Sequence, residues 1–425
     1  MSKLLIRGGR IIDPANNLDR QGSVSVADGN IIAVGDELEA FTPDRIIEAE
    51  QQIVCPGFID LSARLREPGH TRKGNIQSET RAAAAAGVTT LCLPPDTNPV
   101  IDTPAVVEYI KDKSEKAGYE QILPIGALTQ RLAGNEISSM FALKQAGCIA
   151  VGNADLPLTK LQILRRAMEY ADSHGLLLIY RPNEPSLSAD GCAHDGAFAS
   201  RYGLPGIPAA AETVAVAQCL ELAQLTGCRV HFSRISCKGS VIKLQQAKKY
   251  GLNVTADVAI HQLHLTEDDM IPFDSAYHVD PPFRSDSDKQ FLRNGLVNGT
   301  IDAICSDHQP HDLDAKLGAF PETQAGIAAL ETLLPLTLRL SREHPISLTQ
   351  SIAALTEKPA KILGLDKGAL TPGLGADICI FAPEQSWLVG HDSWQSAGKN
   401  TPFWNKSLQG KVTHTLQAGR TIYQQ

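Results

Sequence analysis

Seven charged side chains and two histidine pairs carry the chemistry that this sequence offers. Asp307-His308-Gln309-Pro310-His311 sets a carboxylate beside two imidazoles, and His261-Gln262-Leu263-His264 repeats the H-x-x-H spacing. Imidazole and carboxylate are the donors that a zinc-like dication takes, although an isolated H-x-x-H is a weak signal. The other charges are Arg64, Arg66, Arg181 and Arg234, with Asp96 and Asp280. Guanidinium stays protonated to about pH 12 and has no lone pair to give. Arginines in such company repel a dication and seek carboxylates. No G-x-S-x-G elbow and no Cys/His constellation supports a metal-free nucleophile, and neither G-x-G-x-x-G nor a phosphate loop occurs.

The elements that must position these residues are legible as a recurring joint. A helix-like stretch ends at a glycine and a short β-rich apolar run follows: Gly87-VTTLCLP, Gly118-YEQILPI, Gly147-CIAVGN, Gly175-LLLIY, Gly227-CRVHFS, Gly251-LNVTAD and Gly299-TIDAIC. Glycine suits the position just past a helix, where φ is positive. An eighth run, IVCPGFIDL, opens the series at Ile53. Eight buried strands with helices between them predict an α/β fold, a (β/α)8 barrel. The alternative, a doubly wound open sheet, usually carries the glycine-rich loop that is missing here. Both ends read as short strands with turns, which suggests one small β domain, a β-sandwich built from both termini. The expected boundaries are 1–54 and 365–425 for that domain and 55–364 for the barrel.

The chain has 425 residues, 43% hydrophobic and 20% charged, with a net charge of −8. It can bury a full core, and its acidity with no basic block argues against nucleic acid or an anionic membrane as the partner. MSKLLIRGGR has three consecutive apolar residues before Arg7, too few for a signal peptide. The nine cysteines include no CxxC, so buried free thiols in the cytoplasm are expected. His231, inside the sixth strand, reads as a satisfied core histidine.

Barrel enzymes work from the C-terminal ends of their strands. Those ends carry Asp60-Leu-Ser62-Ala-Arg64-Leu-Arg66, Pro94-Pro-Asp96, Asn153-Ala-Asp155, Tyr180-Arg181, Ser233-Arg234 and Ser306-Asp307-His308. With Pro56-Gly-Phe-Ile-Asp60, Leu65-Arg-Glu-Pro-Gly69, Gly206-Ile-Pro208, Asp280-Pro-Pro-Phe-Arg284, Asp307-His-Gln-Pro-His311 and Asn400-Thr-Pro-Phe403, the chain resembles the cyclic amidohydrolases. Within them it is most similar to the longer bacterial dihydroorotases, and the resemblance keeps order from end to end.

That resemblance implies metal ligands where this chain has none. The family's His-x-His on the first strand falls on Ser62 and Arg64. Its bridging ligand after strand four falls on Asn153. Its histidines after strands five and six fall on Arg181, or Tyr180 by a one-residue shift, and Arg234. Only Asp307 survives. The family's substrate contacts correspond to Arg66 and His311, with Asp96 and Asp280 in place of asparagines. A site so altered implies a pseudoenzyme of pyrimidine biosynthesis with no cofactor. The resemblance further implies a partner, aspartate carbamoyltransferase, in a hetero-oligomer of six copies of each chain. The new arginines 64, 181 and 234 are expected to pair with Asp96, Asp280 and Asp307, three charges against three. Two rivals stand beside this reading. One is an active hydrolase of a hydantoin or allantoin with a rebuilt one-metal site. The other is a small-anion pocket using Arg66 and the new arginines.

Overall fold

The computed structural model describes residues 3–36, 38, 41–119 and 121–425. Met1 and Ser2 of the N-terminal stretch and Glu120 of the Gly118 run lie outside the described residues.

Eight parallel strands form the central sheet: β1 Phe58–Asp60, β2 Val88–Leu93, β3 Ile122–Ala127, β4 Ala150–Gly152, β5 Leu177–Tyr180, β6 Val230–Phe232, β7 Val254–Ala259 and β8 Ala303–Cys305. They are hydrogen-bonded in sequence order. Helices α1 Ile76–Ala85, α2 Pro104–Ala117, α3 Met140–Ala146, α4 Leu161–Ser173, α5 Ala209–Thr226, α6 Lys238–Lys249, α7 Asp286–Val297 and α8 Leu333–Glu343 follow the strands in turn. All seven joint glycines have positive φ, from 61° at Gly175 to 113° at Gly147. A side chain there would crowd the backbone as the helix turns into the next strand.

The run from Ile53 is two strands and not one. Ile53–Pro56 pairs antiparallel with Ile378–Leu388 in the flanking sheet, and β1 begins only at Phe58. The break has one local and one tertiary cause. Pro56 has no N–H to donate, and a Cβ on Gly57 would sit 2.3 Å from Thr89, so only glycine passes there.

The flanking sheet draws on both termini, as expected. Its path runs from Arg420–Gln424 through Ser407–Gln417, Ile378–Leu388, Ile53–Pro56, Lys3–Asp13 and Leu18–Ala27 to Asn30–Gly35. Arg45–Glu48 pairs alongside Lys3–Asp13. The sheet is mostly antiparallel and has its own core, including Ile6, Ile11, Val24, Ile31, Ile378 and Leu416. All nine cysteines are buried and free. Among the described residues no helix is long and apolar enough to cross a membrane.

Between β8 and β1 the barrel nearly closes, through backbone just past the strand ends. Arg64 N donates to His308 O at 2.9 Å, and His308 N to Ser62 O at 3.2 Å. Buried Asp60 fastens the same seam by accepting from Ser306 N at 2.9 Å, Ser62 N at 3.3 Å and the Ser306 hydroxyl. Asp60→Ala strands these donors away from water. It should lower stability by about 2–3 kcal/mol in urea unfolding; an unchanged midpoint would show that the carboxylate does not hold the seam.

Candidate functional site

The charged residues singled out in the sequence meet at the C-terminal mouth of the barrel. Arg64 follows β1, Asp96 β2, Asp155 β4, Arg181 β5, Arg234 β6 and Asp307 β8, while Asp280 comes from the connection between β7 and α7. Several are held by strained backbone. Arg66, Ala154, Arg234 and Asp307 have φ of 62°, 49°, 57° and 49°, a region non-glycine residues enter at a cost of about 1–3 kcal/mol. At Arg234 the restraint is visible: its N–H donates to Asp257 Oδ1 at 2.6 Å. Asp257 is positioned in turn by His231 Nε2 at 2.8 Å, and His231 Nδ1 lies 2.8 Å from Thr255 Oγ1. His231 is thus a satisfied core histidine.

The expected ion pairs form. Arg64 Nε donates to Asp96 at 2.7 Å, Arg181 to Asp280, and Arg234 Nη1 to Asp307 at 3.1 Å. The three-to-three balance, however, is wrong. A fourth carboxylate, Asp155, sits between all three arginines. It accepts from Arg64 Nη2 at 2.5 Å and from Arg234, and lies 4.0 Å from Arg181 Nε. Arg64 Nη1 also approaches Asp307 at 3.7 Å. In the sequence Asp155 is an unassigned acid at the end of strand four, two residues past Asn153. Tyr180 does not compete with Arg181: it packs edge-on against Phe232 at 6.1 Å.

Burial and charge act in opposite directions here. Burial pushes the Asp155 carboxyl up, but Arg234, Arg64 and Arg181 together hold it well below the ordinary range. Asp307 goes the other way: burial raises it, and Arg234 and Arg64 offset this only in part. The arginine side chains are 3–6% exposed and Asp155 is 29% exposed, so the pairs are largely shielded from water. The space left among Ser62, Arg64, Arg181 and Arg234 is about 20 Å3. That is room for about one water, against roughly 300–1,000 Å3 for a small-molecule pocket.

The remaining predicted residues are occupied elsewhere. Asn153 accepts from Thr129 Oγ1 at 2.8 Å and donates to Leu156 O at 2.9 Å, tying down its own loop. Arg66 Nε donates to Pro310 O at 2.9 Å, and its Nη2 lies 3.2 Å from His311 Nε2. Burial and the Arg64 charge lower Arg66 to about 10, and burial and Arg66 bring His311 to about 2, a neutral imidazole.

These residues do not fit a divalent metal. Three cations occupy the expected ligand positions, and Asp307 is committed to Arg234 and to Gln309 Nε2 at 3.0 Å. The H-x-x-H pairs do not converge. His308 Nε2 bonds Glu79 at 2.8 Å and His264 Nε2 bonds Leu336 O at 2.9 Å. Buried His261 has no partner at either ring nitrogen and is lowered to about 3 by burial and Arg234. Among the described residues no group of three His, Cys, Asp or Glu could hold a metal ion. Nothing in the sequence around Glu79 announces its pairing with His308. Glu79 also accepts from Ser396 Oγ at 2.6 Å and from Ala397 N at 3.1 Å, so it pins the C-terminal segment to the barrel.

A family profile described as Dihydro-orotase-like matches residues 51–240. A "Dihydroorotase-like protein" of Pseudomonas aeruginosa is 43% identical over 99% of both chains. The chain belongs to the dihydroorotase-like family. A "Dihydroorotase" of Syntrophotalea carbinolica is 40% identical, again over 99% of both chains. Among solved structures, an L-hydantoinase (dihydropyrimidinase) from Arthrobacter aurescens superimposes with a TM-score of 0.88 at 22% identity, covering 100% of this chain and 96% of that one. This likeness concerns the fold, a (β/α)8 barrel with its β flank. Within that fold, the family's motif residues outside the mouth serve as ties. Asn400 accepts from His311 N at 2.8 Å and donates to Gln309 O and Gly326 O, both at 2.9 Å. Arg284 Nη1 donates to Ile207 O at 2.6 Å.

Proposed function

We propose that this chain is a dihydroorotase-like pseudoenzyme of pyrimidine biosynthesis, a structural subunit that aspartate carbamoyltransferase needs for assembly or stability. The observation that carries the first half is the Arg64–Arg181–Arg234 cluster around Asp155. Hydrolysing a ring amide requires an activated water and room for the ring. Every carboxylate at the mouth is already accepting from a guanidinium, so none is left unpaired to activate a water, and the cavity admits about one water. The names of the relatives are in keeping: the Pseudomonas proteins at 43% identity are called dihydroorotase-like, those at 37–40% dihydroorotases.

The choice of partner rests on the sequence resemblance. A barrel that keeps its strained strand ends while filling its pocket has retained a rigid shape, and rigid shape is what an assembly subunit contributes. The test is co-expression with the transferase of the same organism, followed by light scattering and transferase assay. The expected result is a stable mixed oligomer whose transferase activity falls when this chain is withheld. Two separately eluting proteins would sink the assembly role.

The hydrolase rival is tested on the purified chain. Only trace zinc and no hydrolysis of dihydroorotate, a hydantoin or allantoin are expected. Stoichiometric zinc, with turnover abolished by chelation, would revive it. For the anion pocket, thermal stabilisation by carbamoyl aspartate, dihydroorotate or phosphate that disappears in Arg66→Ala would count in its favour.

A further inference from the structure

The small cavity at the barrel mouth has charged walls of one sign. Its space of about 20 Å3 is bounded by the side chains of Arg64, Arg181 and Arg234, with Ser62 and Ser233 beside them. Its floor is apolar, with Ile125 and Ile179 from the barrel's inner core. Among the described residues no carboxylate lines it. Asp96, Asp155, Asp280 and Asp307 hold the same three arginines without reaching that space.

Each arginine keeps hydrogen-bonding capacity beyond these pairs. Arg64 gives Nε to Asp96 and Nη2 to Asp155, Arg181 gives Nη2 to Asp280, and Arg234 gives Nη1 to Asp307 and Nη2 to Asp155. Arg64 Nη1, Arg181 Nη1 and Arg234 Nε are buried and meet no acceptor among the described residues. Arg64 Nη1 lies 3.7 Å from Asp307, beyond hydrogen-bond reach. Buried donors are nearly always satisfied in folded proteins, and leaving a charged one alone is the most costly case. Three of them around one small space define a place for an acceptor.

Size and charge set the chemistry of that acceptor. The space takes one water or an ion of similar size. Phosphate, dihydroorotate and carbamoyl aspartate are too large for it. The arginine side chains are 3–6% exposed, whereas Asp96, Asp155 and Asp280 are 27%, 29% and 37% exposed, so solvent screens part of their charge. Asp307, at 3%, is the one acid placed as deeply as the arginines. Toward the cavity, three cations outweigh one anion. In so shielded a place unlike charges attract far more strongly than in water, which favours an anion over a neutral water. Arg66 takes no part, since its guanidinium is held by Pro310 O and lies against His311.

We infer that the space among Arg64, Arg181 and Arg234 is a binding site for a single halide-sized monovalent anion. The inference does not rest on the assembly reading, because it is measured on the purified full-length chain alone.

Two measurements test it. The first is a chloride titration of the thermal midpoint at constant ionic strength, balanced with sodium gluconate, whose anion cannot enter the cavity. The midpoint should rise with chloride as a ligand of the native state requires, and bromide should act likewise. Ser62→Val puts a methyl group into the space and should abolish the response. Arg181→Gln removes one donor and one charge, and should raise the chloride concentration for half the effect by about tenfold or more. The second is anomalous diffraction from crystals grown in sodium bromide, where one peak is expected within hydrogen-bonding reach of Arg64 Nη1, Arg181 Nη1 and Arg234 Nε. A wild-type midpoint that is the same in chloride and gluconate would overturn the inference. So would an undiminished response in both variants, or a cavity that holds water and no bromide.

Discussion

Asp155→Ala should destabilise the protein by about 3–5 kcal/mol, the range for removing one side of a buried ion pair. The solvent opening at Asp155, 29% exposed, sets the expectation at the lower end. The loss is large because one carboxylate serves three guanidiniums. Without it, Arg64 and Arg234 face each other with only Asp96 and Asp307 to compensate, and Arg181 keeps Asp280 alone. The pH dependence gives a second signature. A carboxyl held below its ordinary value stabilises the fold above about pH 4, where the unfolded chain is ionised, and loses that contribution as pH falls through its folded value. Asp155→Ala should therefore lessen the fall in stability at low pH. Asp307 acts with the opposite sign: its raised value favours the fold as pH drops. Urea unfolding at pH 7 and pH 3 measures both effects. A loss below about 1 kcal/mol, the worth of an exposed pair, would show that Asp155 is not the hub.

Rebuilding the family's ligand set should be more damaging still. Ser62→His, Arg64→His, Asn153→Asp, Arg181→His and Arg234→His together remove three buried cations and add a carboxylate. Asp96, Asp155, Asp280 and Asp307 then share one mouth without the three guanidiniums that pair with them. Orphaning buried Asp307 costs about 3–5 kcal/mol and the part-exposed Asp96, Asp155 and Asp280 less each, and although such costs are not additive among neighbours, their combination is a large share of the ~5–15 kcal/mol total stability of a domain. The expected product is insoluble or unfolded, with or without zinc in the medium. A soluble, zinc-loaded quintuple variant that hydrolyses dihydroorotate would refute the argument, since the ion pairs would then be a removable filling and not part of the fold's support.

Asp155→Ala also separates fold from the proposed function. The change lies in the barrel mouth, so on the assembly reading proposed above a folded fraction should still bind the transferase. If stability falls and assembly persists, the mouth supports the barrel and binding lies elsewhere.

Some of this was fixed by residue type and spacing. The seven glycine joints announced the barrel because a left-handed residue between helix and strand is a local demand, met within a few residues of chain. The expectation of a lost metal site is of the same kind: guanidinium has no lone pair in any environment, so that Arg64, Arg181 and Arg234 are not ligands can be read along the chain. Even the pairing of these arginines with Asp96, Asp280 and Asp307 followed from charge. What the tertiary structure alone decided was which groups converge. Asp155 lies 91 residues from Arg64 and 79 from Arg234, and its place two residues past Asn153 does not say which arginines it meets. The same holds for Glu79, which meets His308 across 229 residues. The split of the Ile53 run likewise depended on the contact of Gly57 with Thr89 and on the pairing of Ile53–Pro56 with the C-terminal strand. Conformation and ionisation are properties of single residues and can be read in order along the chain. Convergence is a property of the closed barrel, which brings eight strand ends to one mouth and sets the charges at hydrogen-bond distance.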